Sequence, residues 1–375
     1  MLRRWWVAWV LATSLVAAAC TTGGGTEATG GPATTAAGEA GGEGVRAAFV
    51  YVGPIGDAGW TWAHDQGRLF LEENMPEAET TFLESIPEGA ESQRVFEDLA
   101  VDGWNLIFGT SFGYMDPMLA AAESYPDTVF EHATGFKTAG NMGTYFGAAE
   151  EGRYLTGLVA GSVTEVDLIG YVAAFPIPEV LRGINAFTLG VREVNPEAQV
   201  QVVWTSTWFD PAIERQASET LLDTGADVVS MHQDSPATGE AAEEAGAYWV
   251  GYNSNMEQFA PEAWLTASVW DWGPYYLQTA QQVADGSWQS DQFYGDMASG
   301  MVDLAPFGAA VPDDVQGLVE GRRQEITDGS FEIFAGPISD QDGNVVIPEG
   351  EVATLEELLA TNYLVEGVIG EIPEG

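Results

Sequence analysis

This chain is short of cysteine, lysine and histidine, and each shortage removes a class of chemistry. Cys20 is its only cysteine, so neither a disulfide framework nor a thiolate metal site can be built. Lys137 is its only lysine. It sits in GFKTAG (Gly135 to Gly140), which excludes a GxxxxGK phosphate loop. The histidines, His64, His132 and His232, lie far apart and show no metal-ligand spacing; each reads as a hydrogen-bonded structural residue before it reads as a catalyst. No cofactor or metal is expected. Positive charge is scarce throughout, with 12 Lys and Arg against 57 Asp and Glu giving a net charge of −45. Nucleic acid, which is held by Lys and Arg on phosphates, is therefore excluded as a partner. A basic membrane patch is absent too. The acidic surface bears on solubility in salt or in an extracellular milieu, not on chemistry.

What is present begins at the N-terminus. Arg3 and Arg4 precede an apolar run from Trp5 to Val16, and the small residues Ala17–Ala18–Ala19 precede Cys20. That order is a processing segment and resembles a bacterial lipobox, in which the cysteine is acylated. Residues 1–20 are expected to be a lipoprotein signal peptide, leaving the protein tethered by lipid to the extracytoplasmic face of the cell membrane. Ala17 departs from the pattern, where Leu or Val is usual, and an ordinary cleaved signal peptide is the alternative. Residues 21–44, rich in Gly, Thr, Ala and Glu, read as a flexible linker. No later apolar run is long enough to cross a bilayer.

From Val45 strand-like runs alternate with helical stretches. Strands are predicted over residues 46–52, 80–84, 105–109, 128–133, 168–173, 199–204, 227–231, 248–251 and 265–270. Helices are predicted over residues 63–73, 93–101, 150–163, 179–194, 211–223, 239–245 and 274–284. Strict βα alternation predicts an α/β fold with parallel, doubly wound sheets. Asp116–Pro117 and Asp210–Pro211 each offer an N-cap followed by proline. Ser339 to Glu351 reads as a small hairpin. One sheet rarely holds so many strands, so two lobes are expected, with crossings near Gly143, Tyr252 and Gly300. Lobe I would comprise residues 45–145 plus 253–299, and lobe II residues 146–252 plus 300–375. A ligand would lie between the carboxyl-end loops of both sheets.

The richest of those loops follows AAFVYV and carries Asp57, Trp60, Trp62 and His64. Indole faces beside a carboxylate suit a flat, hydrogen-bonding ligand, although core packing of Trp60 and Trp62 is the competing assignment. The other cleft loops are Thr110–Tyr114, with Ser111 and Phe112; Phe175–Ile177; Ser206–Phe209, with Trp208; His232–Ser235, with Asp234; and Asn253–Asn255. GTSFG (Gly109 to Gly113) matches a nucleophile elbow, so a serine hydrolase using Ser111 is a rival. No histidine follows His232 to complete that triad near the end of the fold, and the same turn serves as a ligand cradle. Asp234 has a plain N-cap as its competing role.

Taken together, VYVGPIGDAGWTWAHDQGR, IFGTSFGYMDP, EGRYLTGLVAG, PIPEVLRGINAFTLGVREVNP, TWFDPAIERQAS, MHQDSPATG, GMVDLAPFG and AGPISDQDG resemble the basic membrane protein family of substrate-binding lipoproteins. The resemblance runs in family order from about Val50 to Gly343. It implies a type I periplasmic-binding-protein fold with three connecting segments. It further implies a monomer that delivers a purine nucleoside, a free purine base or riboflavin to the permease and ATPase of an ABC importer. Carried over, the family's ligand residues fall on Asp57, Trp60, Thr61, Asp116 and Trp208. Two positions depart from nucleoside binders: Asn253 stands where they have Asp, and Trp270–Asp271 where they have Lys. Losing that pair removes a charge-assisted grip on a sugar diol. A free purine, adenine foremost, is therefore expected between Trp60 and Trp208, with Asp57 and Asp234 as acceptors and Ser111 or Asn253 as donors. A nucleoside or flavin is the first alternative.

Overall fold

The computed structural model describes residues 44–373, so the expected signal peptide, linker and acylated Cys20 lie outside the described residues. Runs such as RAAFV and LIFG are buried along almost their whole length. That pattern belongs to central strands covered on both faces rather than to half-exposed ones.

In chain order the elements are β1 (Arg46–Val50), α1 (Trp60–Asn74), β2 (Glu79–Leu83), α2 (Ala90–Val101), β3 (Leu106–Gly109), α3 (Met115–Ser124), β4 (Val129–Ala133), β5 (Met142–Gly147) and α4 (Ala149–Val163). There follow β6 (Leu168–Ala173), α5 (Pro178–Val194), β7 (Gln199–Trp204), α6 (Pro211–Asp223), β8 (Val228–His232), α7 (Ala237–Ala245), β9 (Tyr248–Asn253) and β10 (Trp264–Trp270). The chain ends through α8 (Gly273–Asp285), β11 (Gln292–Gly295), β12 (Val302–Leu304), α9 (Asp313–Thr327), β13 (Ile338–Ser339), β14 (Val345–Ile347), α10 (Leu355–Leu359) and β15 (Val368–Ile369).

Two main sheets result. The first has the order β11-β5-β4-β3-β1-β2 and is parallel throughout. The second has the order β12-β10-β9-β8-β6-β7-β15 and is parallel except for β12 at its edge. β13 and β14 form the hairpin expected near the C-terminus. The fold is thus α/β with doubly wound parallel sheets. The chain passes between the sheets three times, at residue 148, at 271–272 and at 296–301. The second passage is later than expected. β10 pairs with β9 in the second sheet, in register from Thr266 opposite Val250 to Val269 opposite Asn253, so residues 264–270 do not stand with the first sheet. Only then does α8 return to pack on α1.

Packing explains several local choices. Phe49 stacks on Phe108 from the neighbouring strand, with ring centroids 4.7 Å apart, and both are fully buried. Each such side chain contributes about 1.5–3 kcal/mol of transfer free energy. Gly67 lets α1 approach α8, since a Cβ there would stand 2.8 Å from the Tyr276 ring. Asp210 caps α6, accepting from the N–H groups of Ala212 and Ile213 at 3.1 Å, with Pro211 at the first helical position. Asp116 does not cap α3. It lies within the first turn, and its exposed carboxylate pairs with Lys137 at 2.5 Å. No helix among the described residues is long and apolar enough to cross a membrane.

Candidate ligand cavity

Parallel strands bring their carboxyl ends to one side, and here the loops of both sheets converge. A narrow cavity of about 30 Å³ lies between them. The first sheet contributes Val52 and Trp60 after β1, Ser111 and Phe112 after β3, and Thr134 after β4. The second contributes Glu179 after β6, Trp208 after β7, His232 and Asp234 at β8, and Tyr252 and Asn253 at the end of β9. Neither lysine nor arginine lines it.

Trp60 and Trp208, the two expected aromatics, face this one space from opposite sheets. Trp60 is anchored by its Nε1, which donates to the Thr110 carbonyl at 2.6 Å. Its ring meets His64 edge-on at 4.3 Å and Trp272 at 5.6 Å. Trp208 is backed by Phe175, with centroids 4.9 Å apart. Phe175 itself does not line the cavity. Trp62, by contrast, is 40% exposed, and His64 is a core residue, held by the Tyr276 hydroxyl at 2.5 Å.

Asp57 and Thr61 require correction, for they do not line the cavity. The Asp57 carboxylate is buried and spent on the start of α1. Its Oδ1 accepts from the N–H groups of Gly59 and Trp62, both at 2.9 Å, and its Oδ2 from that of Thr61 at 2.8 Å. These otherwise orphaned donors of the first helical turn explain why an acid stands there. Burial pushes the Asp57 carboxyl up to about 6, against the opposing pull of those N–H groups. Thr61 is fully buried in the same turn. Asp116 is likewise outside the cavity, turned to solvent and paired with Lys137.

Asp234 does line the cavity, and it caps no helix; α7 begins after Pro236 with no side-chain cap. Burial pushes its carboxyl well up, and the nearby charges of Asp57, Glu214 and Glu179 add to the effect. Asn253 Nδ2 donates to its Oδ1 at 3.1 Å, and Asn253 Oδ1 in turn accepts from Trp270 Nε1 at 2.9 Å. Trp270 therefore stands behind the cavity wall, stacked on Trp272 at 4.7 Å, and supports Asn253 instead of touching the space itself.

Val52, Thr134, Glu179 and Tyr252 were not assigned to the site from sequence, and His232, placed on a cleft loop, was expected to be structural. Glu179 Oε1 lies 3.3 Å from His232 Nε2. Burial pushes the His232 imidazole down to about 4, with Glu179 opposing, so at neutral pH it is an uncharged donor. Its ring packs on Tyr252 at 4.5 Å. Behind Tyr252, fully buried Arg153 stands 3.4 Å over the ring and donates to the Met231 carbonyl at 2.7 Å. The signal available in the sequence was position alone, since Glu179 falls just past the Phe175–Ile177 loop.

Backbone strain gathers at the same rim. Ala58, Thr134, Ser206 and Asn253 all have φ between +56° and +70°, a region costly for residues with a Cβ and often found at ligand sites. The loops also touch across the rim. Ser254 Oγ donates to the Ala58 carbonyl at 2.5 Å, and a Cβ on Gly59 would stand 2.3 Å from the Asp234 carbonyl oxygen.

Residues 44–329 match the family described as ABC transporter substrate-binding protein PnrA-like, the Bmp family. The chain belongs to the Bmp family. A purine-binding protein of Brucella abortus is 44% identical over 88% of this chain and 95% of its own. TsgA13 of Haloferax volcanii, provisionally named an ABC transporter glucose-binding protein, is 45% identical over 91% of this chain and 84% of its own. Among solved structures, a solute-binding protein of an ABC transporter from Aeropyrum pernix shares the fold, with TM-score 0.69 and 17% identity over 85% of this chain and 98% of that one.

Membership makes this Bmp protein an extracytoplasmic substrate-binding component of an ABC transporter, with a small-molecule ligand and permease and ATPase partners. Binding, not turnover, is the family's activity. The Ser111 rival also lacks its machinery. Ser111 Oγ donates to Glu88 Oε1 at 2.5 Å, and the nearby His132 reaches only the Ser111 carbonyl, at 2.8 Å. A nucleophile needs the imidazole on its hydroxyl.

Proposed function

We propose that the protein captures a free purine base, adenine foremost, between Trp60 and Trp208 and presents it to an ABC importer. The observation that carries this reading is the pair of indoles brought to one cavity by different sheets, with the carboxyl groups of Asp234 and Glu179 on its wall and no cation. A flat heterocycle gains about 1–3 kcal/mol per stacked face, by analogy with bases on aromatic side chains. Its N–H groups suit Asp234, and an acceptor left unpaired by the wrong ligand costs about 1–3 kcal/mol. The name of the Brucella relative supports a purine. Base is favoured over nucleoside because both ends of the Asn253 amide are engaged within the protein, by Asp234 and Trp270, leaving little for a ribose diol.

Closure of the two sheets on the ligand, with the loaded shape recognised by the permease, follows as a hinge mechanism. Lipid on Cys20 would hold the protein, as a monomer, beside its transporter. The glucose named for the Haloferax relative is the second reading, since one indole also supports a sugar face and carboxylates accept hydroxyls.

Calorimetry of the mature protein with adenine, adenosine, riboflavin and glucose tests the assignment. Adenine is expected to bind tightest; tighter binding of adenosine or glucose overturns it. Labelling with a fatty-acid analogue, abolished in Cys20→Ser, tests the anchor.

A further inference from the structure

We infer that Glu179 reads the ligand directly, its carboxylate accepting the ring N–H that only an unsubstituted purine carries, and that it thereby sets the preference for base over nucleoside. The inference rests on the purine assignment above and adds a residue to it.

Glu179 lines the cavity from the first turn of α5. One of its oxygens lies 3.3 Å from His232 Nε2. Among the described residues no protein hydrogen bond to the other is found, and the Arg182 guanidinium, one helical turn on, acts on the carboxylate only electrostatically. His232 is itself immobilised, packed on Tyr252, which Arg153 covers from behind. A carboxyl oxygen lying against a side chain packed in place is oriented by the fold, which sets the direction in which its other oxygen points. The carboxylate thus presents an acceptor to the cavity that a ligand donor can take up.

Its position gives the specificity. An adjoining cavity of about 690 Å³ opens beside the first, lined by aromatic rings of β5 and β11, by Arg182 and by α10. Phe112, Thr134 and Glu179 line both spaces, and Glu179 is the charged residue among them. A substituent on a purine held between the indoles leaves through this junction. With hydrogen on the ring nitrogen, the carboxylate there is paired. With carbon on it, the half-buried carboxylate loses its donor and meets an apolar group instead.

Calorimetry with adenine and 9-methyladenine on the full mature protein, unaltered and as Glu179→Met, measures this. The unaltered protein is expected to favour adenine by at least 30-fold. Glu179→Met is expected to weaken adenine at least tenfold and bring the two ligands within threefold of each other. A preference already within threefold in the unaltered protein overturns the inference without recourse to any variant. So does a preference that survives in Glu179→Met, with thermal melting confirming its fold. Failure of the unaltered protein to bind either purine overturns the purine assignment and this inference together.

Discussion

Trp270 Nε1 donates to Asn253 Oδ1 at 2.9 Å, and so commits Asn253 Nδ2 to Asp234 Oδ1, 3.1 Å away. An indole outside the cavity thus fixes a carboxylate inside it. Trp270→Phe keeps most of the packing on Trp272 but frees the amide to turn. Loss of one hydrogen bond is worth about 0.5–1.5 kcal/mol, so adenine affinity is expected to fall roughly 3- to 10-fold, by calorimetry, with the melting temperature little changed. Unchanged affinity would show that the orientation of Asn253 does not matter.

The two stacking indoles differ in what else they support. Trp208 is only partly buried, so Trp208→Ala should weaken adenine by about 1–3 kcal/mol, roughly 5- to 150-fold, while leaving the fold intact. Trp60 is 8% exposed and packed among aromatic rings. Trp60→Ala should lose similar affinity and, in addition, about 3–5 kcal/mol of stability. Chemical denaturation alongside titration separates the two effects.

Asp116→Asn is expected to leave ligand affinity within twofold, because the carboxylate is on the surface with Lys137. An exposed pair of this kind is worth about 0–1 kcal/mol. A tenfold loss in a binding assay would restore the ligand role that the family resemblance implies.

Acid should stabilise the protein through Asp57. Its folded-state pKa, raised from 3.8 to about 6, means that the folded chain holds this proton to higher pH than the unfolded chain does. Stability therefore falls as pH rises between those values and is flat above them, by at most about 3 kcal/mol. The melting temperature of the unaltered protein is expected to drop more between pH 4.5 and 7 than that of Asp57→Asn. Parallel curves for the two proteins would show that the group is not perturbed.

Gly59→Ala tests the contact at the rim. A Cβ would stand 2.3 Å from the Asp234 carbonyl oxygen, too close for the loops to meet. Small-angle scattering should show a larger radius of gyration with adenine present than for the unaltered protein. Identical radii would mean that the backbone yields.

Much of the architecture was legible because burial writes itself into runs of apolar residues. β6, β7 and α6 have the predicted bounds. β5 was missed because MGTYFG carries glycines that read as turn, although its neighbours bury it completely. β11 and β12 are short edge strands with little apolar signal. In the cavity, aromatic residues were the easier part, as Trp60 and Trp208 illustrate. Acids were harder, because Asp57 at a helix start and Asp234 at a strand end look alike until the N–H groups around each are placed. Glu179 was hidden by its position after Pro178, where an acid in the first helical turn is ordinary.

The cationless wall has a bearing on what reaches the transporter. The wall of the cavity itself carries no Lys or Arg to pair a phosphate, and the guanidinium that lines the adjoining space, Arg182, is already held by Glu150 at 3.0 Å. On the free-base reading proposed above, phosphate and sugar would have to be removed from a nucleotide before capture.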